Sequence, residues 1–323
     1  MAAIVITGAA GMVGSHLLER LASSGAGPVV GSYFRPTIRI EDIAGRFDLR
    51  ELDVRHAEPV RRLIARERPA TIYHLAGQSL PTRSWDNPWE TLEVNVVGTV
   101  NVFEAVRAVR AELDPGYDPM VVVACSSAQY GASLTPERGA VDEDTPPLPL
   151  HPYGVSKVAQ DLLAFQYWRN DRIRCIRARI FNCTGPRKRD DVVSDFARRA
   201  ARIARDGGAG ALRVGMLDTR RAIIDVSDLI SALLLLAERG APGEAYNICS
   251  ATLTRIGDLL PLLEALAGVR LVAEADPALL RPSDEPVVFG STARLVAATG
   301  WTQRVGLAQT VRAVFDYERA LLA

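Results

Sequence analysis

The chain has 323 residues, 48% of them hydrophobic, and its 38 Lys and Arg balance its 38 Asp and Glu to a net charge of zero. That length and apolar content suffice for one large or two modest domains with a sizeable core. The absent net charge leaves no global field to recruit nucleic acid or an acidic membrane, and the longest apolar runs, such as Ala232 to Ala237, are far too short to span a bilayer.

Ala2 to Thr7 is a short apolar run, expected as a buried parallel strand. Gly8, Gly11 and Gly14 follow at once, with Met12 and Val13 among them, and Ser15 to Ala22 then shows helical periodicity. Strand, glycine-rich turn and helix in that order is the context of a dinucleotide site. Gly8 permits the tight turn, Gly11 lets backbone approach a pyrophosphate at the helix N-terminus, and Gly14 lets the helix pack close to the sheet. Pro28 to Phe34 reads as the second strand. An NAD site offers an acid to the ribose 2′-hydroxyl at this point, but here the strand runs into Arg35 and the first acid is Glu41. An Arg without an acid favours a 2′-phosphate, hence NADP(H); NAD(H) is the alternative if Arg35 only stacks on adenine.

Leu49 to Val54 ends the third strand and puts Asp53 where it takes the adenine amino group or caps a loop. Ala57 to Glu67 is a helix closed by Pro69. Thr71 to Gln78 is a fourth strand with a small-residue turn, Leu75-Ala76-Gly77, where backbone passes close to the cofactor phosphates. Leu92 to Arg110 is a long amphipathic helix holding Asn95, Gly98 and Thr99. Met120 to Cys125 is the fifth strand and delivers Ser126 and Ser127; a serine there donates to a substrate oxygen or forms a turn. A polar, Pro-rich loop from Thr135 to Pro152 then leads into His151-Pro-Tyr-Gly-Val-Ser-Lys157. Tyr153 and Lys157 share one face of a helix. An ammonium beside a phenol favours the phenolate, so the pair is suited to moving a proton near neutral pH.

Arg174 to Arg179 is the sixth strand, followed by Phe181-Asn182-Cys-Thr-Gly-Pro186. The alternation of strands and helices predicts a doubly wound parallel sheet, a Rossmann domain over 1–178 with later returns near 222–248 and 286–292. Residues 179–323 are expected to form mainly a smaller α/β substrate domain. Its elements are a helix from Asp195 to Arg205, strands over Arg213–Asp218 and Ala222–Asp225, a helix from Ser227 to Arg239, a strand from Ala245 to Cys249 and a helix from Thr254 to Leu266. No uninterrupted core of its own is expected there; it should pack over the carboxyl edge of the sheet, where ligands sit. Arg187-Lys188-Arg189 and Arg220-Arg221 suit a small anionic ligand. The cysteines, Cys125, Cys175, Cys183 and Cys249, have no C-x-x-C and no metal-ligand spacing, so they read as reduced, with no metal site. With no signal-peptide pattern at the N-terminus, the expected location is cytoplasmic.

The glycine loop, Asp53, Ser126 and the Tyr153/Lys157 pair together resemble the extended short-chain dehydrogenase/reductase family over nearly the whole chain. Arg179-Ile-Phe-Asn182, Gly215 to Arg221, Tyr246 to Ser250, Thr254-Arg255-Ile256 and Leu280-Arg-Pro-Ser-Asp284 are similar to its GDP-hexose branch, which holds GDP-mannose 4,6-dehydratase and GDP-4-keto-6-deoxy-D-mannose reductase, and look closer to the reductase. The resemblance implies that Ser126, Tyr153 and Lys157 are catalytic, that Lys157 bonds the nicotinamide ribose, and that Asn182, Arg221 and Arg281 hold the nucleotide diphosphate, with Gln78 and Ser127 also on the substrate. It also implies a homodimer joined by a four-helix bundle of Leu92–Arg110 and Tyr153–Arg169. Two residues depart from the branch. The dehydratase needs a carboxylate two residues after the catalytic Ser or Thr, and this chain has Ala128; related reductases often carry an acid there too. The residue after Asn182 is usually His and here is Cys183. The reading is therefore reduction of a GDP-linked 4-keto-6-deoxy sugar, with a 4-epimerase, a 4,6-dehydratase or a catalytically silent nucleotide-binding protein as alternatives.

Overall fold

Short runs rich in Val, Ile and Ala need burial on both faces, and a parallel sheet between two helix layers provides it. In the computed structural model, which describes residues 2–207, 210–279 and 285–322, the main strands are β1 (Ile4–Thr7), β2 (Val29–Tyr33), β3 (Asp48–Glu51), β4 (Thr71–His74), β5 (Met120–Ser126), β6 (Cys175–Ile180) and a seventh, Ala245–Ile248. They lie side by side in the order seventh, β6, β5, β4, β1, β2, β3, and every neighbouring pair is parallel. The chain winds outward from β1 to β3, then restarts on the other flank at β4. The crevice between β1 and β4 is thus the switch point at which such sheets bind ligands.

Successive residues of β1 serve opposite layers. Ile6 packs with Leu17 and Leu18 of α1 (Met12–Ser23) and with Leu229 and Leu233 of the Val226–Arg239 helix. Val5 packs with Ile64 of α2 (Ala57–Glu67), Phe103 and Val106 of the Gly98–Glu112 helix and Tyr167 of the Pro152–Asp171 helix. The Phe103 and Tyr167 rings stack at 4.7 Å.

The C-terminal half differs from expectation. Val193, Phe196, Ala197 and Ala200 of the Val192–Asp206 helix meet Leu212, Leu259, Leu263, Val311 and Phe315 in an apolar cluster separate from both sheet layers. That half does have a core of its own. Its contributors come from elements far apart in the chain, among them the Arg-rich Val192–Asp206 helix, so no one run shows it. Two elements also shift. The strand expected over Arg213–Asp218 runs from Gly210 to Val214 and pairs in parallel with Leu271–Ala275. The expected Thr254–Leu266 helix opens as a strand, Thr254–Arg255, paired antiparallel with Arg220–Arg221, and its α-helix starts only at Leu259. The helix expected from Leu92 begins at Pro88 and carries a π turn over Glu93–Val97 before Gly98. Among the described residues, no helix is long and apolar enough to cross a membrane.

Candidate active site

The chain leaves β1 and turns at Gly8, where φ is +75°. A Cβ on Gly8 would sit 2.6 Å from the Ala76 nitrogen, and one on Gly14 only 2.3 Å from the Gly8 oxygen. Only glycine fits either place. Gly11 is the N-cap of α1 and brings no side-chain cap, and the first turn holds no acid. The first amides of α1, at the positive end of its dipole, are left to an external anion. Gly8, Gly11, Met12, Val13 and Gly14 line a cleft of about 1550 Å³ together with Leu75, Ala76 and Gly77. That exceeds the ~300–1,000 Å³ usual for one small ligand. The cradle fits a dinucleotide pyrophosphate, with room left for a second nucleotide.

The three catalytic candidates meet on this cleft. Ser126 ends β5, and its Oγ accepts the Ala128 N–H at 3.2 Å; its hydroxyl is near enough to the Tyr153 phenol to favour the ionised form. Tyr153 sits in the first turn of its helix. His151 caps that turn, its Nδ1 accepting the Gly154 N–H at 2.9 Å, and its ring stacks on Tyr153 at 5.8 Å. A Cβ on Gly154 would lie 2.6 Å from the Ala128 oxygen, so this glycine lets the helix abut the Ser126 turn. The Lys157 ammonium stands 5.7 Å from the Tyr153 ring centroid and donates to the Ala124 oxygen and to Gln160 Oε1, each at 2.7 Å.

At these positions burial outweighs the pull of Lys157 toward the phenolate. Burial pushes the Tyr153 phenol up to about 12, only partly offset by the Ser126 hydroxyl. Burial also brings Lys157 down to about 8. Desolvation opposes charge on both groups, and the ammonium is turned toward two carbonyls rather than toward the phenol. The site holds a neutral phenol, which is a proton donor.

Several contacts escape a reading of the sequence. Asn95, in the π turn, accepts the Gln78 N–H at 2.8 Å and donates to the Gln78 oxygen and to Ser156 Oγ. It ties the β4 turn to the Tyr153 helix. Gln160, bonded to Lys157, carries no motif signal. His151 did have one, since the residue before a proline at a helix start is an N-cap position. Gln78 reaches the cleft, but its amide donates to Thr91 Oγ1 and the Leu80 oxygen, and its oxygen accepts the Leu80 N–H. Its side chain shapes the loop.

At the far end of the cleft, Asp53 is bound by Arg55 through side chain and backbone. Burial opposes its ionisation, yet Arg55 outweighs this and holds the carboxyl below its usual range. Val54 lines the cleft beside it. Arg35 adopts a left-handed φ of +49°, and its guanidinium and that of Arg55 lie 5.1 and 5.8 Å from the Phe34 ring centroid. The expectation that no acid faces Arg35 is corrected: Glu90 reaches it at 3.2 Å from a helix 55 residues away in sequence.

Asn182, Arg221, Ser127 and Ala128 line the same cleft. Cys183 joins them, its thiol pushed up by burial. All three residues of the basic cluster line the cleft, and Arg187 there donates to both Glu19 oxygens at 2.9 and 3.0 Å. Arg281 and the rest of Leu280–Asp284 lie outside the described residues.

The sequence profile described as GDP-mannose 4,6 dehydratase matches residues 5–314. GDP-6-deoxy-D-mannose reductase of Pseudomonas aeruginosa is 32% identical over 318 residues, 98% of this chain and 97% of that protein. UDP-glucose 4-epimerase of Mycolicibacterium smegmatis is 28% identical over 326 residues, 98% of each chain. Among solved structures, RMD from Pseudomonas aeruginosa complexed with NADPH aligns with a TM-score of 0.81 at 30% identity, over 99% of this chain and 100% of that one. UDP-glucose 4-epimerase of Thermus thermophilus in complex with NAD aligns with a TM-score of 0.85 at 28% identity, over 98% of this chain and 99% of that one. With the match running almost end to end, the chain belongs to the GDP-mannose 4,6-dehydratase family, enzymes of the short-chain dehydrogenase/reductase class that act on nucleotide sugars.

Proposed function

We propose that the chain is an NADP(H)-dependent reductase of a nucleotide-linked 4-keto-6-deoxyhexose, and that its reaction is GDP-4-keto-6-deoxy-D-mannose to GDP-D-rhamnose. The observation that carries this reading is a neutral Tyr153 beside Ser126, with Ala128 where dehydration needs a carboxylate. The site is equipped to give a proton and lacks the base to remove one from C5. The 32% identity to a GDP-6-deoxy-D-mannose reductase and the NADPH in the structure of RMD support the same reading.

A nicotinamide dinucleotide suits the cleft. The Gly8–Gly14 turn would hold its pyrophosphate, Leu75–Gly77 would pass beside it, Asp53 and Val54 would lie at the adenine, Arg35 at the 2′-phosphate and Lys157 at the nicotinamide ribose. The chemistry supplied by bound NADPH is two-electron reduction of the C4 carbonyl carbon. Tyr153 gives its phenolic proton to the C4 oxygen, and Ser126 directs a hydrogen bond at the same oxygen, stabilising charge as it develops. Asn182 and Arg221 would hold the diphosphate, for which guanidinium forks are suited, and the family resemblance gives Arg281, outside the described residues, the same role.

A second reading is C4 epimerisation, favoured by the epimerase relatives and open to the same three residues. The deciding experiment supplies NADPH with enzymatically made GDP-4-keto-6-deoxymannose and follows absorbance and product. Stoichiometric NADPH oxidation is expected; cofactor carried through purification without net oxidation would replace the reductase by the epimerase. Tight nucleotide binding with no turnover of any 4-keto sugar would leave a silent binding protein.

The assembly we propose is a homodimer in the cytoplasm. Trp89, Val97, Val155, Leu162 and Phe165 are exposed apolar residues on Pro88–Val97 and Pro152–Asp171, a face that a four-helix bundle would cover. Light scattering that gave a monomer at micromolar concentration would remove the dimer.

A further inference from the structure

Lys157 is the last member of a buried hydrogen-bond chain that begins on β1. Gln160, one turn further along the same helix, is fully buried. Its Oε1 accepts from Lys157 Nζ at 2.7 Å and its Nε2 donates to Thr99 Oγ1 at 2.8 Å. Thr99 gives its own proton to the Asn95 oxygen at 2.6 Å. Its oxygen can then only accept, so the His74 nitrogen 3.1 Å away, Nε2, carries the ring proton. His74 Nδ1 is left to accept from Thr7 Oγ1 at 2.8 Å, and Thr7 Oγ1 accepts the Ala76 N–H. The bonds along this chain then run in one direction only. A flipped Gln160 amide would aim its NH₂ at the ammonium and its oxygen at a hydroxyl with no proton to give.

An ammonium has three donors. Lys157 spends one on the Ala124 oxygen and one on Gln160, which leaves one for the cleft. We propose that Gln160 is the positioning residue for Lys157: its carboxamide, oriented by Thr99 and His74, fixes the ammonium, supports its charge in a buried site, and keeps one N–H for the cofactor ribose. This rests on the reading of Lys157 as the cation beside the cofactor. The groups around Lys157 offer it no better partner. Cys125 on β5 is a buried thiol pushed well up by burial, His74 on β4 is kept neutral by burial, and Tyr153 on the same helix is a neutral phenol. Asp161, next to Gln160, is committed to Arg177 and Arg179 of β6 at 2.7 and 2.9 Å.

The test measures NADPH affinity by fluorescence, turnover and thermal unfolding across the neutral-to-alkaline range for Gln160→Leu and Gln160→Glu. Without the carbonyl, the Leu variant should bind NADPH about tenfold more weakly at neutral pH, and its loss of affinity with rising pH should begin about one unit lower. The Glu variant keeps the shape and adds a charge, and the Thr99 hydroxyl must turn from the Asn95 oxygen to donate to the new carboxylate oxygen. It should hold affinity at neutral pH and lose it about one unit higher. Opposite movement of the two limbs is the signature, since a packing defect lowers the unfolding temperature without moving a limb. Limbs that stay at the wild-type position, or move the same way, would overturn the proposal. Should the Leu variant not fold, an unmoved limb in the Glu variant does so alone. Tyr153→Phe, run alongside, separates the two ideas: if it turned over at the wild-type rate the reductase reading would fail, while the binding limbs would still decide the role of Gln160.

Discussion

The two walls of the cleft are built differently. The wall from β1, α1 and the Leu75–Gly77 turn is backbone, packed so closely that a methyl group at Gly8 or Gly14 would overlap main-chain atoms. The wall from Asn182 to Arg189 and Arg220–Arg221 stands on two-residue strands and is made of long side chains, some already committed, such as Arg187 to Glu19. A backbone cradle accepts one class of ligand and tolerates little change. Side chains on short strands can be exchanged without disturbing the sheet.

The largest expected effect comes from Tyr153, which stands between the walls. Tyr153→Phe should lower turnover by about 10²–10⁴-fold and leave NADPH binding nearly intact. A steady-state assay with separate cofactor titration would show it, and near wild-type turnover would break the assignment. The pH profile sharpens the point. Tyr153 stays protonated up to about 12, so it cannot cause a loss of activity at moderately high pH. Lys157, brought down by burial to about 8, carries its charge below that value and loses it as pH rises through it. Turnover should therefore decline above about pH 8, and Tyr153→Phe should show the same falling limb in its residual rate.

On the backbone wall, Gly14→Ala places a Cβ 2.3 Å from the Gly8 oxygen and 2.7 Å from the Ala9 Cα. Neither neighbour is a flexible side chain, so α1 must move. We expect a loss of about 3 kcal/mol in a denaturant titration and about 100-fold weaker NADPH binding. The corresponding change on the other wall should be milder and of a different kind. Arg221→Ala should cost no more than about 1 kcal/mol in the same titration and raise KM for the GDP-sugar about tenfold, with turnover little changed. If Arg221→Ala lowered stability as much as Gly14→Ala, the distinction between the walls would be lost.

The parts legible in the sequence are those whose chemistry is local along the chain. The Gly8–Gly14 turn announces itself because strand, glycines and helix are contiguous, and Tyr153 and Lys157 because one helical turn relates them. Contacts made by the fold stay hidden: Glu90 with Arg35, Gln160 with Thr99 61 residues away, and the C-terminal cluster that gathers Phe196, Leu259 and Phe315. The upward shift of Tyr153 is hidden from the sequence for a related reason. Adjacency to a cation is visible in a spacing, whereas desolvation depends on everything the fold packs around the phenol.

The smallest expected effect lies where the walls give way to the adenosine end. Glu90 accepts from Arg35 at 3.2 Å and from Arg83 at 2.8 Å, in the first turn of its helix. A 2′-phosphate that engages Arg35 must displace this carboxylate or lie beside it, and both cost affinity. Glu90→Gln keeps the side-chain length and removes the charge, and the Asn87 cap acts on the Glu90 backbone, so the helix start should hold. Because the Arg35 side chain is 66% exposed, solvent weakens the pair and the gain should be modest, about threefold tighter NADPH binding with NADH unchanged. Parallel fluorescence titrations with the two cofactors would measure it. The opposite outcome, weaker NADH with NADPH unmoved, would mean that Glu90 accepts the ribose 2′-hydroxyl and that this end of the cleft is tuned to NAD.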